Sequence, residues 1–154
     1  MGREDRINII GLQLSRKLAK MGYYSEKDKY VWIRKEEERR WILEKIDSLE
    51  ILSSKQMLLA PTLETARRWV RNTLRIFPII SRTVHWTKDD EVKIIWEVDI
   101  YELKGNKSTR NKWIGCLEID ETRENIKKIA YERGIRRSIE EYNRRILDER
   151  YYTL

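Results

Sequence analysis

A helix that leads directly into a strand is the feature that most constrains the fold of this chain. Pro61 and Thr62 form a start signal for the helix, and its apolar residues recur at helical spacing: Leu63, Ala66, Val70 and Leu74. From Phe77 onward the residues are instead typical of strands. This change of period predicts an α+β protein in which the apolar face of the helix packs on a core.

The other side of the same helix is basic. Arg67, Arg71 and Arg75 are spaced four residues apart, and Arg68 lies beside them. A helix face of this kind suits either anions or water. We therefore take these four arginines as candidate nucleic-acid-binding residues, with a solvated helix face as the alternative.

Three strands are predicted after this helix. Residues 92–101 alternate apolar and polar side chains and form the clearest strand in the chain. Residues 79–86 precede that strand across a short polar turn, and residues 112–119 follow it across a polar loop at 104–111. Short connections between consecutive strands indicate an antiparallel meander.

A final helix closes the predicted domain, starting at Asp120 or Thr122. It carries an apolar line and a row of small residues four apart that would permit close packing on a sheet: Ala130, Gly134 and Ser138. The order from residue 61 is thus helix, three-stranded antiparallel meander, helix. The expected fold class is α+β.

One or two helices are predicted before this unit. Residues 4–21 repeat apolar side chains at helical spacing, and residues 29–46 form a second candidate helix whose start, 30–33, is also good strand material. The predicted organisation is a helical N-terminal extension at 1–55 followed by an α-β-β-β-α domain at 56–150.

Charge favours acidic partners. The chain of 154 residues has 33 Lys and Arg against 26 Asp and Glu, a net charge of +7, and a pI near 9.5. Three further cations lie in the loop before the third strand, and we add them to the candidate nucleic-acid-binding set: Lys104, Lys107 and Arg110. The tryptophans at 69, 96 and 113 fall on apolar faces, so core packing is expected for them rather than stacking on bases.

Catalytic and metal-binding motifs are not found in the sequence. It has no Gly-rich phosphate loop, nucleophile elbow or Cys/His spacing typical of a metal site. The single cysteine, Cys116, lies in a strand-like segment and is expected to be a buried, inert thiol in a reducing compartment. With no long apolar run either, the sequence predicts a cytoplasmic protein that is not an enzyme, with no cofactor, metal or membrane partner.

A resemblance adds to this interpretation. Pro61 and Thr62, the pair Arg68-Trp69, Trp113 and Gly134 follow one another in the order helix, strand meander, closing helix. Over residues 58–143 the chain resembles small uncharacterised α-β-β-β-α proteins encoded by phages and mobile elements of gut bacteria. The resemblance implies that fold and a phage or mobile-element origin, and it implies no particular chemistry.

Two other likenesses concern nucleic acid. The α-β-β-β-α order is that of double-stranded-RNA-binding domains, and 127–131 partly match their basic last-helix motif, but Asp120-Glu-Thr-Arg stands in place of their Gly-rich lead-in. Alternatively, residues 46–75 could form a helix-turn-helix that places Thr65, Arg67, Arg68 and Arg71 in a major groove.

The sequence thus predicts a phage or mobile-element accessory protein that acts by binding. Nucleic acid, held by the basic helix face and the loop cations, is the favoured ligand. The alternative is a protein-binding inhibitor or adaptor that targets a host factor, for example a defence component.

Overall fold

The computed structural model describes residues 8–34, 39–46, 56–103, 111–120 and 125–152. Contacts divide the chain into two compact units, Met1–Ala66 and Arg67–Leu154. In chain order the elements are α1 (Leu12–Lys20), β1 (Tyr30–Arg34), β2 (Trp41–Lys45), β3 (Gln56–Leu59), α2 (Leu63–Trp69), a π-helical turn (Val70–Leu74), β4 (Ile76–Trp86), β5 (Val92–Leu103), β6 (Asn111–Asp120) and α3 (Ile126–Tyr152).

The first unit contains a three-stranded antiparallel sheet in the order β2-β1-β3. Val31 and Ile33 on the central strand are buried, as are the apolar residues Leu14 and Leu18 of α1. The Trp32 indole donates a hydrogen bond from Nε1 to the carbonyl of Ile10, 3.3 Å away. The first predicted helix is confirmed over Leu12–Lys20. The predicted start is too early, because residues 8–11 are not helical, and the part before residue 8 lies outside the described residues.

The second predicted N-terminal helix, at residues 29–46, is wrong. Residues Tyr30–Arg34 and Trp41–Lys45 are paired antiparallel strands. A surface ion pair such as Glu36 with Arg40 would stabilise a helix by roughly 0.2–0.5 kcal/mol. Burial of a Val or Ile side chain, as at Val31 and Ile33, contributes about 1.5–3 kcal/mol each. Tertiary burial therefore outweighs the local helical signal.

The second unit contains the predicted meander. Strands β4, β5 and β6 form an antiparallel sheet in that order, which confirms the three predicted strands, with β4 beginning earlier than expected, at Ile76. A β-bulge interrupts the β5–β6 pairing between Ile100 and Tyr101. The α+β class with antiparallel strands is confirmed, but a single meander flanked by helices is not, because the described ranges contain two three-stranded sheets.

Helix α3 packs on one face of this sheet. Its Ala130 is buried with Ile76, Val98, Ile100 and Ile119 of the strands. A Cβ atom on Gly134 would lie 2.7 Å from Cβ of Pro78 and 2.9 Å from Cγ1 of Val98, so the helix backbone approaches the sheet as closely as the small-residue row predicted. Asp120, one of the two predicted starts of this helix, is instead the last residue of β6, and the other, Thr122, lies outside the described residues.

The helix after Pro61 is also confirmed. Thr62 Oγ1 accepts a hydrogen bond from the backbone N–H of Thr65 at 3.2 Å, the arrangement of a helix N-cap. Its four apolar positions are all buried: Leu63, Ala66, Val70 and Leu74. The helix widens into the π-helical turn and ends at Arg75, whose φ of 62° is left-handed. Strand β4 begins at the next residue.

Two further predictions concern the helix-turn-helix alternative and the domain boundary. The helix-turn-helix alternative for residues 46–75 is wrong, because β3 occupies Gln56–Leu59. The predicted domain boundary between residues 55 and 56 lies at the edge of a range outside the described residues, and it stays a prediction. Across the described ranges, none of the helices has the length and apolar content that crossing a membrane requires.

Candidate nucleic-acid interface

The predicted arginines do not form one helical stripe. Arg68 is exposed on α2, whereas Arg67 and Arg71 are half-buried. Arg75 is exposed but lies beyond the helix, in the left-handed residue that ends it. The exposed members of the set are therefore Arg68 and Arg75, which lie on either side of the π-helical turn.

Arg71 makes a specific contact within the protein. Its guanidinium carbon lies 5.5 Å from the ring centroid of Phe77, over the ring. Such a cation–π contact contributes about 0.5–1 kcal/mol at a partly exposed site. Phe77 is only 5% exposed, so this arginine helps to cover an aromatic side chain and also leaves a positive charge beside it.

Arg75 lies beside the strand ends from which the predicted basic loop departs. The backbone N–H of Leu103 donates a hydrogen bond to the carbonyl of Arg75 at 2.8 Å. Leu103 is the last residue of β5, and it pairs with Asn111 at the start of β6. The loop candidates Lys104, Lys107 and Arg110 lie between these two residues and outside the described part of the chain.

Lys112 is a further exposed cation at this end of the sheet. It is paired across β6 and β5 with Glu102, which in turn is paired with Ile76, next to Arg75. Two strand spacings of about 4.8 Å separate the backbones of Lys112 and Ile76. We call Arg68, Arg71, Arg75 and Lys112 together the basic end.

The one carboxylate in this row is already neutralised by a helix residue. Glu102 forms an ion pair with Arg145 of α3, and both side chains are mostly buried. The positive charges of the basic end are therefore not cancelled by Glu102.

The face of the sheet opposite α3 carries an aromatic row beside the basic end. We call this the open face; it holds Phe77, Tyr101 and Trp113, which are directly opposite one another on the three strands. The Phe77 and Tyr101 rings stack with centroids 6.0 Å apart and an interplanar angle of 27°. Trp113 is 55% exposed, and its indole Nε1 donates to Asp99 Oδ1 at 3.1 Å.

The expectation that Trp113 packs in the core is therefore wrong. The bulge between Ile100 and Tyr101 inserts one extra residue in β6, so that Ile114 packs toward the core while Trp113 pairs with Tyr101. Trp96 does pack against the core, and Trp69 is half-buried. A bulge leaves no signature in hydrophobic alternation, which is why the sequence misplaced Trp113.

Carboxylates of β5 and β6 lie next to the aromatic row on the open face. Glu97 and Glu118 are paired across β5 and β6, and Asp99 lies between them and the aromatic row. His85 Nε2 is 3.7 Å from Glu97 Oε1, and Lys93 pairs with Asp120 at 3.1 Å, both at substantial exposure. The open face is thus basic and aromatic at one end and acidic over its middle.

Cys116 lies in this acidic part and is exposed, contrary to the expectation of a buried thiol. Partial desolvation, a hydrogen bond with Asp99 and the charges of Asp99, Glu97 and Glu118 raise the pKa of Cys116 to about 11. The thiol is therefore protonated at neutral pH, and its low reactivity comes from partial desolvation together with its charged neighbours.

Two of the basic residues of α3 form ion pairs within the helix. Arg137 lies 3.8 Å from Glu141, and Arg144 lies 2.7 Å from the same side chain. Arg145, far along the helix, pairs with Glu102, whereas Lys127 is exposed in the first turn, shortly after β6 ends at Asp120. It is therefore at the opposite end of the sheet from Arg145 and the basic end.

The tip of the β4–β5 hairpin carries an exposed apolar patch. Val84, Trp86 and Val92 are 59%, 74% and 53% exposed. Trp86 is paired with Val92, and all three lie on the face of the sheet that α3 covers farther along. The turn that closes the hairpin is polar, with Asp90 in a left-handed conformation.

Sequence reasoning found the exposed arginines but missed the aromatic row. Tyr101 and Trp113 were each visible in their strands, but their neighbourhood depends on a register that single strands do not encode. Within the described ranges, no three His, Cys, Asp or Glu side chains are grouped so that they could hold a metal ion. Comparison with protein-family models, curated proteins and solved structures gave no match.

Proposed function

We propose that this protein is a non-enzymatic accessory protein that binds nucleic acid through the basic end. The observation that carries the proposal is the backbone hydrogen bond from Leu103 to Arg75, because it joins the end of the arginine-bearing helix to the strand ends that flank the basic loop. Cations from two separate segments of sequence are thereby supported as one phosphate-binding surface.

The proposed origin in a phage or mobile element rests on the resemblance over residues 58–143. Its basis is the placement of Pro61, Thr62, the Arg68-Trp69 pair and Gly134 in the fold order described above. Nucleic acid is a partner that the chain's charge of +7 attracts at low ionic strength.

The test is a binding titration with labelled DNA and RNA, single-stranded and duplex, at about 50 mM salt. Arg68→Gln and Lys112→Gln remove exposed cations while retaining long polar side chains. Arg75→Asn is the suitable third change, since Asn tolerates the left-handed φ of 62° at this position. We expect the triple variant to bind at least about tenfold more weakly than the wild type.

Lys127→Gln is the matched control, because Lys127 is an exposed cation of the same unit at the other end of the sheet. It is expected to retain the wild-type affinity within about twofold. Absence of wild-type binding at low salt would refute the proposed function. If Lys127→Gln weakened binding as much as the triple variant does, the proposed surface would be refuted.

A second candidate function is protein binding through the hairpin tip. The observation that favours it is the exposure of Val84, Trp86 and Val92 on one face, since clustered exposed apolar residues mark interaction sites. In the native cells, a photo-crosslinking residue at position 86 would be compared with the same residue at Lys93, on the opposite face. A discrete crosslinked protein at position 86 alone supports this function, and identical patterns at both positions contradict it.

A further inference from the structure

The aromatic row of the open face indicates which class of nucleic acid the protein would bind. We propose that Trp113 is a stacking platform for an unpaired nucleobase, so that the nucleic acid bound at the basic end is single-stranded. This inference rests on the proposed function, and it adds a recognition step that phosphate contacts alone do not provide.

Exposure within the row identifies the face that a base would contact. Phe77 is covered on one side by the Arg71 guanidinium and stacks on Tyr101. Tyr101 is half-buried, whereas Trp113 is 55% exposed. The row is therefore a supported aromatic surface whose outermost ring is accessible. A base stacked on Trp113 would extend the row by one further ring.

The Trp113 ring is held in position before any ligand binds. Its Nε1 donates to Asp99 Oδ1 at 3.1 Å, and its strand position is set by the bulge opposite Tyr101. A side chain that is already oriented loses less conformational entropy on binding than a freely rotating one. The hydrogen bond occupies the polar edge of the indole and leaves the ring faces for stacking.

The charges around Trp113 define the direction in which a strand would run. Arg71 lies over Phe77 on the same face as Trp113. Arg75 lies at the same end of the sheet, and Lys112 precedes Trp113 in β6 with its side chain on the α3 face. Glu97 and Glu118 lie on the other side of the row. A phosphate backbone is therefore attracted along the basic end, across the strands, and repelled from the middle of the open face.

A duplex cannot use this surface in the same way. Its bases are stacked on each other and paired, so their faces are not available to Trp113 unless the duplex opens. A single strand offers both its phosphates to the basic end and its base faces to the indole. The combination of exposed cations with one oriented, accessible indole thus favours unpaired nucleic acid.

The test compares full-length wild-type protein with Trp113→Ala and Trp113→Phe. The probes are labelled oligo-dT and oligo-U strands of about 12 nucleotides and a dA·dT duplex of the same length, at one salt concentration. We expect the wild type to prefer the single strands. Trp113→Ala is expected to lose about 5- to 100-fold in single-strand affinity with unchanged duplex affinity, and Trp113→Phe to retain most of the affinity. Comparison of the dT and U strands shows whether DNA or RNA is preferred.

Trp86→Ala is the matched control, since Trp86 is an exposed tryptophan of the same sheet on the other face. It is expected to bind like the wild type. Unchanged denaturation midpoints would establish that both alanine variants are folded. Equal single-strand and duplex affinities, or a Trp113→Ala variant that binds single strands normally, overturn this inference while salt-dependent binding upholds the proposed function. A wild-type protein that binds none of the three probes overturns both.

Discussion

Gly134 illustrates how one missing side chain determines the packing of the second unit. A Cβ atom at this position would lie 2.7 Å from Cβ of Pro78 and 2.9 Å from Cγ1 of Val98, and neither atom is at the end of a flexible side chain. Alanine gains up to about 1 kcal/mol of helix propensity over glycine, but overpacking of a core costs about 1–3 kcal/mol. The steric cost is therefore expected to exceed the gain in propensity.

We expect Gly134→Ala to lower the free energy of unfolding by about 1 kcal/mol, measured by urea denaturation followed by tryptophan fluorescence. Gly115→Ala is the matched control, because a Cβ at Gly115 meets no atom within 4 Å. Its unfolding free energy is expected to be unchanged or slightly raised, since glycine weakens a strand interior. A Gly134→Ala variant as stable as the control would contradict the close approach of α3 to the sheet.

Cys116 provides a residue-scale test of the acidic part of the open face. Its pKa is raised to about 11 by partial desolvation and by Asp99, Glu97 and Glu118, so the thiolate fraction at pH 8 is lower than for an ordinary cysteine. Because each pH unit changes that fraction tenfold, alkylation at pH 8 is expected to be on the order of 100-fold slower than for a free thiol.

The rate of Cys116 alkylation by iodoacetamide, followed by mass spectrometry from pH 7 to 11, checks this expectation. The rate should rise with pH throughout that range, without a plateau near pH 9. Asp99→Asn removes one of the charges that raise the pKa, so alkylation at pH 8 should become faster. A plateau near pH 9 in the wild type would show that the neighbouring carboxylates do not act on this thiol.

At the scale of elements, the pairing of β1 with β2 can be distinguished from a helix by a disulfide. Tyr30 and Lys45 are paired across the two strands. The adjacent pair is hydrogen-bonded, from Ile46 N–H to Lys29 carbonyl at 2.8 Å, so Tyr30 and Lys45 form a non-hydrogen-bonded pair with Cα atoms about 4.5 Å apart. In a helix the same residues would be about 22 Å apart.

We expect Tyr30→Cys with Lys45→Cys, in a Cys116→Ser background, to form a disulfide on mild oxidation, detected by peptide mapping. The control is Arg34→Cys with Lys45→Cys. Arg34 is paired with Trp41 at the other end of the strands, so its Cα is about 13 Å from that of Lys45 and no intramolecular disulfide should form. The absence of the Tyr30–Lys45 bridge would argue against this register.

The difference between local periodicity and pairing with distant segments explains which elements the sequence could predict. The meander and the small-residue row of α3 depend on periods of two and of four residues, which are local and can be read from single segments. The strands at Tyr30–Arg34 and Trp41–Lys45 depend on partners in distant segments, β3 included, so local pairs misled the prediction. The exposure of Arg68 could be predicted from the sequence, because cationic side chains are usually exposed. The Phe77–Tyr101–Trp113 row could not, because it depends on the strand register and the bulge.

For the whole molecule, net charge and local charge make different predictions about binding. The chain carries +7 overall, and if this net charge governed affinity, removal of any surface carboxylate would strengthen binding equally. The proposed surface instead makes position decisive. Asp99 is two residues from Tyr101 on β5 and accepts the hydrogen bond of Trp113, while Asp89 is exposed in the turn at the far end of the hairpin.

Asp99→Asn and Asp89→Asn each raise the net charge by one, and Asn at position 99 keeps an oxygen that can accept from the indole. A charge about 6 Å from a phosphate contributes roughly 0.7 kcal/mol in water, whereas one more than 20 Å away is screened. We therefore expect Asp99→Asn to bind an oligo-dT strand about threefold more tightly at low salt, and Asp89→Asn to bind like the wild type. The difference should shrink as salt is raised. Equally strengthened binding by the two variants would mean that net charge, not the basic end with its adjoining aromatic row, attracts the nucleic acid.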